Sequence, residues 1–456
     1  FNYYRVNQMR KFIEVFKNKE VVNRIFFTIM ILFVFRIGAA ITVPGIDTSK
    51  LSESIESGNN ILSIMNLLGG GALSNFSVFA LGVSPYITAQ IIIQLLSMDV
   101  LPALTELTKQ GQYGRKKAEM ATRYLTLMLG AVQGYGIIQT AKNVSWITLT
   151  LEENFLTYAY IVTVLIAGTM LVMWLGDQIT DKGVGNGISI IIFAGIVVSL
   201  PNQIVKAFQK WILSNWSLGS SEASLGVFRF ILYIVALIAI VAFVTFVELS
   251  KRKIPVQHSS RSGGSEKMNK ASFLPIKVNS AGVIPVIFAS SILTAPSIIA
   301  SFISSEAANA KWLDVFNYAK LTDMGNGIYV PWGLIIYIVL VFAFTFFYSN
   351  LQINPERMAE DFKKNGSYIP GIRPGVETER YVRKVLNRIT LIGAFALCFI
   401  SALPVILTLT GAFGSDSSLA IGGTGLIIVV GVAIEISKQI DGLIAGKSYD
   451  EVMGGM

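Results

Sequence analysis

Residues that commonly carry out catalysis or bind metals are scarce in this sequence. His258 is the single histidine and Cys398 the single cysteine among 456 residues. A zinc site needs several histidine, cysteine or carboxylate ligands, and a serine or cysteine hydrolase needs a histidine beside its nucleophile. We therefore expect no catalytic residues, no metal site and no cofactor, and we expect that the chain is not an enzyme.

Nucleotide chemistry is not indicated either. The sequence has no Walker A motif, so any ATP hydrolysis would have to come from another protein. The stretch GVGNG at residues 183–187 resembles a phosphate-binding glycine loop, but it does not lie in the strand–helix unit that such loops connect. The start of a helix explains these glycines better.

The distribution of charged residues points instead to a membrane protein. Charged residues make up 14% of the chain and apolar residues 53%, whereas soluble domains are about 25% charged. Ten windows of about 17 or more residues carry few or no charges, which is the pattern of membrane-crossing helices. These predicted spans lie near residues 25–43, 76–97, 120–140, 156–176, 187–205, 228–248, 281–303, 332–350, 389–410 and 421–437.

The basic residues give the predicted helix bundle an orientation. Of the 37 lysines and arginines, 29 fall in the loops and termini of one side. Because an excess of Lys and Arg marks the cytoplasmic side, both termini and the loops at 249–280 and 350–388 are predicted to be cytoplasmic. Basic loops can arise from orientation alone. These two are longer than orientation requires, which favours a partner with an acidic or phosphate-rich surface.

Two pairs of short patterns suggest that the chain is a duplicated half. GVSPYI (82–87) in the second span corresponds to GVIPVI (282–287) in the seventh, and GNGISII (185–191) in the fifth corresponds to GTGLIIV (423–429) in the tenth. Five spans are an odd number, so the second unit would enter the membrane from the opposite side as an inverted repeat. Such repeats place their working site near the bilayer midplane, where broken helices meet.

Prolines are expected to produce those breaks. Pro85 and Pro285 lie within the paired patterns of the second and seventh spans. A proline removes a backbone donor and kinks or interrupts a helix. We therefore expect the second and seventh spans to be interrupted at corresponding positions.

The segments that would meet at the midplane present aliphatic side chains. Asp, Glu, Lys and His are absent from the span centres, and Arg36 is the charged residue within the first span. A coupled transporter would need ionisable or carbonyl-rich sites there, whereas an aliphatic collar suits a constriction that stays dry. Packing against lipid or other helices is the alternative for any single residue. The candidate constriction residues are Val83, Ile87, Ile188, Ile192, Ile287 and Ile428.

A short apolar segment precedes the second span. Residues 61–72 would form a helix of about 18 Å, which is too short to cross a bilayer. Three glycines at 69–71 would give it a flexible exit. A re-entrant helix buried within protein is permitted at membrane depth. A helix lying in the membrane interface is the alternative.

Five long motifs make the sequence resemble the SecY family of protein-conducting channel subunits. In chain order they are FALGVSPYITAQIIIQLL (79–96), WLGDQITDKGVGNGISIIIFAGI (174–196), LPIKVNSAGVIPVIFASSI (274–292), NPERMAEDFKKNGSYIPGIRPG (354–375) and GGTGLIIVVGVAIE (422–435). The resemblance extends from Arg24 to Glu435. Residues 1–8 and the loop at 256–273 depart from the family's usual sequence.

The resemblance implies an all-α membrane fold. Ten transmembrane helices would form two inverted five-helix halves, with a short re-entrant plug helix before the second span. The implied divisions are an amphipathic cytoplasmic segment at 9–24, a first half at 25–205, a second half at 228–437 and a cytoplasmic tail at 438–456. The six aliphatic residues would form the pore ring. The plug would comprise Ile61, Leu62, Ile64, Met65, Leu67, Leu68, Gly69, Gly70 and Gly71.

The resemblance also implies a gate and a docking surface. Spans 2, 3, 7 and 8 would form a lateral gate, through which membrane helices leave for lipid. The gate residues would be Thr88, Gln94, Asn279 and Ile284. The two basic loops would bind the SecA motor ATPase or ribosomal RNA. The docking residues would be Lys251, Arg252, Lys253, Arg357 and Arg373.

The implied function is translocation of unfolded polypeptides that carry signal sequences, and release of membrane helices into lipid. SecE-like and SecG-like subunits would be the membrane partners, and the bacterial cytoplasmic membrane the location. A secondary transporter with inverted repeats is the main alternative. A membrane scaffold is a weaker one, because a scaffold does not need proline-interrupted helices.

Overall fold

The structure is a computed structural model of the chain. It describes residues 18–48, 71–97, 102–109, 112–143, 147–150, 152, 154–213, 220–258, 272–303, 311–317, 321–323, 329–409 and 423–453. Helices account for most of these residues. The predicted plug residues from Ile61 to Gly70, and the predicted segment at 9–17, lie outside the described residues.

Twelve α-helices occur in the described ranges. They are α1 (Lys19–Ala40), α2 (Ser84–Leu96), α3 (Pro102–Lys109), α4 (Gln112–Asn143), α5 (Phe155–Lys182), α6 (Gly187–Phe208), α7 (Ser220–Leu249), α8 (Ile284–Ile303), α9 (Trp332–Gln352), α10 (Pro355–Lys364), α11 (Val376–Leu409) and α12 (Gly423–Met453). One π-helical turn follows α6 at Gln209–Leu213, and a 3-10 helix covers Lys311–Phe316.

The predicted helical membrane architecture is confirmed. Within the described residues, six helical segments are long and apolar enough to cross a membrane, and they contain α1, α5, α6, α7, α9 and α11. The apolar parts of α2 and α8 are shorter. Helices α4 and α12 cover the third and tenth predicted spans. Every predicted span therefore includes a helix.

The predicted start of the second span is wrong. We expected a helix from residue 76, but α2 begins at Ser84 and has 13 residues. The residues before it form turns, and Gly82 has a φ of +53°. Pro85 lies in the first turn of α2, where a proline needs no backbone partner, so it begins a helix and does not kink one. Pro285 has the corresponding place in α8.

The irregular segment at residues 71–83 is buried inside the protein. Its backbone pairs with the chain that follows α1: the Val43 N–H donates to the Phe76 carbonyl (3.1 Å) and the Val78 N–H donates to the Ile41 carbonyl (3.0 Å). Non-helical backbone is stable at membrane depth only when protein groups satisfy its hydrogen bonds. The chain after α1 supplies two of those groups, and turns within the segment supply others, such as the Ala72 carbonyl that accepts from the Ser77 N–H at 3.1 Å.

A glycine on α5 lets this irregular segment approach closely. A Cβ atom added to Gly168 would lie 1.9 Å from the Val78 carbonyl oxygen. A side chain at this position would push the irregular segment away from α5. Glycine is thus needed at position 168 because the backbone of the irregular segment lies against α5. Its own backbone conformation is helical and would suit any residue.

Short β-strands lie in the loops that connect the helices. They are β1 (Ile46–Asp47), β2 (Thr148–Leu149), β3 (Lys251–His258), β4 (Ser272–Lys277), β5 (Thr322–Asp323), β6 (Tyr329–Val330) and β7 (Ser367–Tyr368). Strand β3 pairs antiparallel with β4 on one edge and with β7 on the other. The two long basic loops are therefore joined in one three-stranded sheet.

The paired sequence patterns have matching local structures. Gly82 and Gly282 both adopt positive φ, +53° and +64°. Each is followed by a helix with proline at its second position. Helix α2 packs on α4 as α8 packs on α9, so the matching segments also have matching partners. These correspondences support a duplicated origin for the two halves.

Besides a ring contact between Phe208 of α6 and Phe230 of α7, two contact zones join the helices of the first half, α1 to α6, to those of the second, α7 to α12. In the first zone, α12 lies against α6 and α1. In the second zone, α8 lies against α4 and α2. We call these the α6–α12 seam and the α8–α4 seam. Of the other buried apolar clusters, one lies within the first half, and another joins Ala207 and Trp211 at the end of the first half to helices of the second.

The contact at Gly168 yields a prediction about stability. Gly168→Ala should lower the free energy of unfolding by about 1–3 kcal/mol, because overpacking displaces the irregular segment. Thermal unfolding of the purified protein in detergent would measure this change. Gly130→Ala on α4 is the control, since its added Cβ would meet Ile166 at an ordinary 3.6 Å. Equal melting temperatures for the two variants would contradict the packing described here.

Candidate functional site

The six candidate constriction residues lie together at the centre of the molecule. Five of them belong to a single buried apolar cluster, and the sixth, Ile188, is partly buried and packs against it. Val83 is 1% exposed, Ile192 2% and Ile287 8%. The structure therefore brings together side chains from α2, α6, α8 and α12 that are up to 345 positions apart in sequence. We call these six residues the aliphatic ring.

All ring residues lie at or near the starts of their helices. Val83 is the N-cap residue of α2, and its carbonyl accepts from the Ile87 N–H at 3.0 Å. Ile287 is the fourth residue of α8, and Ile192 and Ile428 are each the sixth residue of α6 and α12. The paired sequence patterns thus place equivalent helix starts around one point. Both seams between the halves meet there.

Helix α6 is fixed at its start by a cap and by a glycine contact. The Asn186 side chain accepts from the Ile188 and Ser189 N–H groups at 3.2 and 3.3 Å. A Cβ atom on Gly187 would lie 1.8 Å from the Gly176 carbonyl oxygen on α5. The cap and the close packing together determine where Ile188 and Ile192 point. The sequence predicted this helix start, but not the contact with α5.

One charged side chain lies near the ring. The Arg36 guanidinium on α1 donates through Nη2 to the Ala194 carbonyl of α6 at 2.8 Å. Ala194 is two residues beyond Ile192. Arg36 also lies 6.0 Å from the centre of the Phe35 ring. The bond joins α1 to α6, and it leaves the ring itself lined by aliphatic groups.

The chain that follows the predicted plug reaches the ring. Gly71 is the last of the predicted plug residues, and the structure describes it. It has a φ of +84°, and its carbonyl accepts from the Ser74 hydroxyl at 2.7 Å. Ala72 is fully buried in the same apolar cluster as the ring residues. The described chain at Ala72 therefore lies beside the ring.

The predicted gate residues have different surroundings. Ile284 packs against the ring cluster at the α8–α4 seam. The Thr88 hydroxyl donates to the Ser84 carbonyl of its own helix at 3.1 Å. The Gln94 side-chain oxygen is buried, and no hydrogen-bond donor among the described residues reaches it. These residues lie on the helices that form the α8–α4 seam.

Asn279 lies at the base of α8 and bonds to a neighbour on α7. Its side-chain amide donates to the Glu248 carboxylate and to the Gly282 carbonyl at 3.0 Å. Asn279 is 2% exposed and Glu248 6%. Because a buried carboxylate needs a hydrogen-bond partner, this pair joins the end of α7 to the start of α8. Hydropathy patterns could not have revealed this pair, because its residues lie in different predicted segments.

The predicted docking residues are exposed on the sheet of β3, β4 and β7 and on the neighbouring loop. Lys251, Arg252 and Lys253 lie on β3 and are exposed. Their strand continues into Ile254, which packs with the start of α11 in a separate small cluster. Because successive side chains alternate along a strand, Lys251 and Lys253 lie on the face opposite Ile254, whereas Arg252 lies on the face of Ile254 and is nevertheless exposed.

Arg357 and Arg373 are exposed on the second basic loop. Arg357 lies in the first turn of α10, which Asn354 caps. Arg373 lies between Gly371 and Gly375, both at positive φ. Its carbonyl accepts from the Thr378 hydroxyl at 2.9 Å, while no hydrogen bond or ion pair to its guanidinium is found within the described ranges.

Lys438 extends the basic surface towards α12. It lies just beyond the tenth predicted span and is partly buried. Burial lowers the pKa of Lys438, and the nearby charges of Lys277 and Lys251 lower it further. Lys251 and Lys277 are paired directly across β3 and β4. Three positive charges therefore lie close together where the sheet meets the helices.

Comparison with known proteins gives consistent matches over nearly the whole chain. The family model for SecY matches residues 77–437. A protein of Lactobacillus kefiranofaciens named protein translocase subunit SecY 1 is 43% identical over 436 residues, which cover 95% of this chain and 97% of that protein. Protein translocase subunit SecY of Streptococcus gordonii is also 43% identical, over 440 residues, with 96% and 97% covered.

Solved structures match the fold at low sequence identity. A structure described as a protein conducting channel has a TM-score of 0.62 and 17% identity, covering 92% of this chain and 91% of its own. A structure of SecY described by its plug domain has a TM-score of 0.63 and 18% identity, with the same coverage. Sec61 in the canine ribosome–channel complex has a TM-score of 0.59 and 17% identity, again covering 92% and 91%.

Proposed function

This chain belongs to the SecY family, and from that premise we propose that it forms the pore of a protein-conducting channel with the aliphatic ring as its constriction. Members of the family are channel subunits and not enzymes, in agreement with the sequence. The channel passes unfolded polypeptides through the ring and releases apolar segments sideways into lipid. The alternatives of a secondary transporter and a scaffold are not supported by relatives named as translocase subunits.

The observation that carries this proposal is the meeting of six aliphatic side chains at the point where both seams converge. Such a ring excludes a water column because it offers no polar partners, yet its apolar side chains can part around any passing residue. Its members come from both halves. Separation of the halves would therefore widen the ring directly.

The plug and the lateral gate belong to the same proposal. A plug at residues 61–72 is supported by the position of Ala72 in the ring cluster, because the segment ends where the pore must be sealed. A lateral gate is supported by the α8–α4 seam, where α8 meets α4 and α2. A signal sequence that parts this seam would reach lipid and the ring at the same time.

The basic sheet and the Arg373 loop would dock the partner that drives or delivers the polypeptide. A SecA-type motor and the ribosome are the two partners of suitable chemistry, and contacts with ribosomal RNA would be strongly salt-dependent. Solved relatives include Sec61 and Ssh1 complexes with ribosomes. SecE-like and SecG-like subunits would pack in the membrane. The excess of Lys and Arg in these loops supports a cytoplasmic position for this face and for both termini, in a bacterial cytoplasmic membrane.

The ring should control ion leakage at rest. Replacing Ile192 and Ile287 with Ser in the full chain should raise the ion conductance of reconstituted vesicles several-fold, because hydroxyls allow water to enter the constriction. Translocation should continue. The matched control replaces Val198 and Ile299, exposed residues on the same two helices, with Ser. Equal conductance in the two double variants would mean that the constriction lies elsewhere.

The exposed Arg373 should be needed for docking and not for folding. Arg373→Glu should reduce motor-driven translocation by roughly tenfold or more, the loss typical of a central arginine in an interface. The amount of protein in the membrane and its melting temperature should stay unchanged. Arg380→Glu, an exposed substitution of the same charge on α11, is the control. A degraded Arg373→Glu protein would show instead that the guanidinium holds its loop.

A further inference from the structure

The turn at residues 183–187, between α5 and α6, is held by side chains from three helices. The Val184 N–H donates to the Thr28 hydroxyl of α1 at 3.2 Å. The Gly187 N–H donates to the Thr180 hydroxyl of α5 at 2.9 Å. The Gly185 N–H donates to the side-chain oxygen of Gln439 on α12. These three backbone N–H groups thus donate to side-chain oxygens and not to backbone carbonyls.

The bond from Gly185 to Gln439 connects the two halves of the molecule. Residues 185 and 439 are 254 positions apart. Among the described residues, it is the one hydrogen bond that joins the range 18–213 to the range 220–453. Apolar groups also join the halves, both around the aliphatic ring and where Phe208 and Trp211 meet Phe230 and Tyr233 of α7.

The two seams consequently differ in kind. The α6–α12 seam has this hydrogen bond and close glycine contacts: an added Cβ on Gly425 would lie 3.0 Å from Ile196, and one on Gly185 would lie 3.4 Å from Ile436. At the α8–α4 seam, Ile284 and Ile287 of α8 belong to or pack against the same apolar cluster as Ile87 and Ile91 of α2, and no hydrogen bond crosses this seam within the described ranges. Apolar contacts are non-directional and can slide or separate, whereas a hydrogen bond holds one geometry.

We infer that Gln439 is a positioning residue, which fastens α12 to the 183–187 turn and thereby makes the α6–α12 seam the fixed side when the halves part. This inference rests on the proposed channel function, because it names a residue that holds one seam closed while the proposed lateral gate parts. Gln439 itself does not touch the ring or the passing polypeptide.

The local chemistry explains why a side-chain acceptor is required here. Gly185 has a φ of +86°, and a Cβ at this position would lie 2.7 Å from the Ile190 side chain. The residue is therefore held in a left-handed conformation that turns its N–H towards α12. A buried N–H without an acceptor is unfavourable, so the seam is most stable when Gln439 is in place.

The test measures the two seams separately with pairs of spin labels on the full chain, in a Cys398→Ser background. Cysteines replacing Lys182 and Gly442, both exposed, report the α6–α12 seam. Cysteines replacing Tyr113 and Lys277, also exposed, report the cytoplasmic end of the α8–α4 seam. Each pair is measured with native Gln439, with Gln439→Leu, with Gln439→Glu and with the control Ser437→Ala, an exposed position on the same helix.

We expect Gln439→Leu to broaden the distance distribution of the 182–442 pair at rest. The population with a parted α6–α12 seam should rise roughly two- to tenfold, the effect of losing one ordinary hydrogen bond. Gln439→Glu keeps an acceptor oxygen and should restore the narrow distribution, as should Ser437→Ala. If Gln439 only stabilised the fold, Gln439→Leu would lower the melting temperature without broadening the 182–442 distance distribution. Gln439→Glu would then restore nothing at this seam.

An unchanged 182–442 distribution in Gln439→Leu, or a failure of Gln439→Glu to restore it, would overturn the inference. The proposed function is checked independently by the 113–277 pair with native Gln439. A stalled polypeptide should lengthen that distance. If it does not, the channel proposal fails, while the resting measurement at the other seam still decides the role of Gln439.

Discussion

The structure depends on a contact that must be tight without being permanent. The aliphatic ring joins the two halves through dispersion and exclusion of water, neither of which fixes a single geometry. Several buried polar groups are meanwhile bonded within one half: Ser349 bonds to Thr390 in the second half, and Arg36 bonds to Ala194 in the first. The halves can therefore separate at the ring without breaking these bonds.

The same reasoning accounts for the irregular chain beside the ring. A continuous helix from residue 76 would satisfy its own backbone, but it would also carry Val83 along a straight path through the membrane. The turns before α2 instead place a helix start at the centre of the molecule. Their hydrogen bonds are made within the turns and with the chain after α1, and Gly168 provides the space they need. A membrane protein can afford such a segment only where other protein surrounds it.

Much of this arrangement could be predicted from the sequence, because apolar windows and proline–glycine patterns report local preferences. The helices, the matched pairs of segments and the convergence of Val83, Ile87, Ile188, Ile192, Ile287 and Ile428 were all predictable in this way. The start of α2 was not, because hydropathy does not distinguish a buried apolar turn from an apolar helix. Gly82 and Pro85 together did indicate where α2 starts, because Gly82 favours a turn and Pro85 favours the first turn of a helix.

Contacts between distant polar residues could not be predicted at all. Nothing in the local sequence relates Gln439 to Gly185, or Asn279 to Glu248, because these pairs arise only when separate helices meet. The predicted plug from Ile61 to Gly70 and the roles of the gate and docking residues stay predictions. Their positions on the seams and on the basic sheet support them, but their roles depend on partners and on a moving polypeptide.

The central claim is that a polypeptide passes through the aliphatic ring. The most direct test places single cysteines at Ile192 and Ile287 in the Cys398→Ser chain and measures crosslinking to a secretory polypeptide stalled in transit. Cysteines at Val198 and Ile299, on the exposed faces of the same helices, are the matched controls. We expect crosslinks at the two ring positions and few at the controls. Crosslinks at the controls without any at the ring would place the path elsewhere and contradict this account.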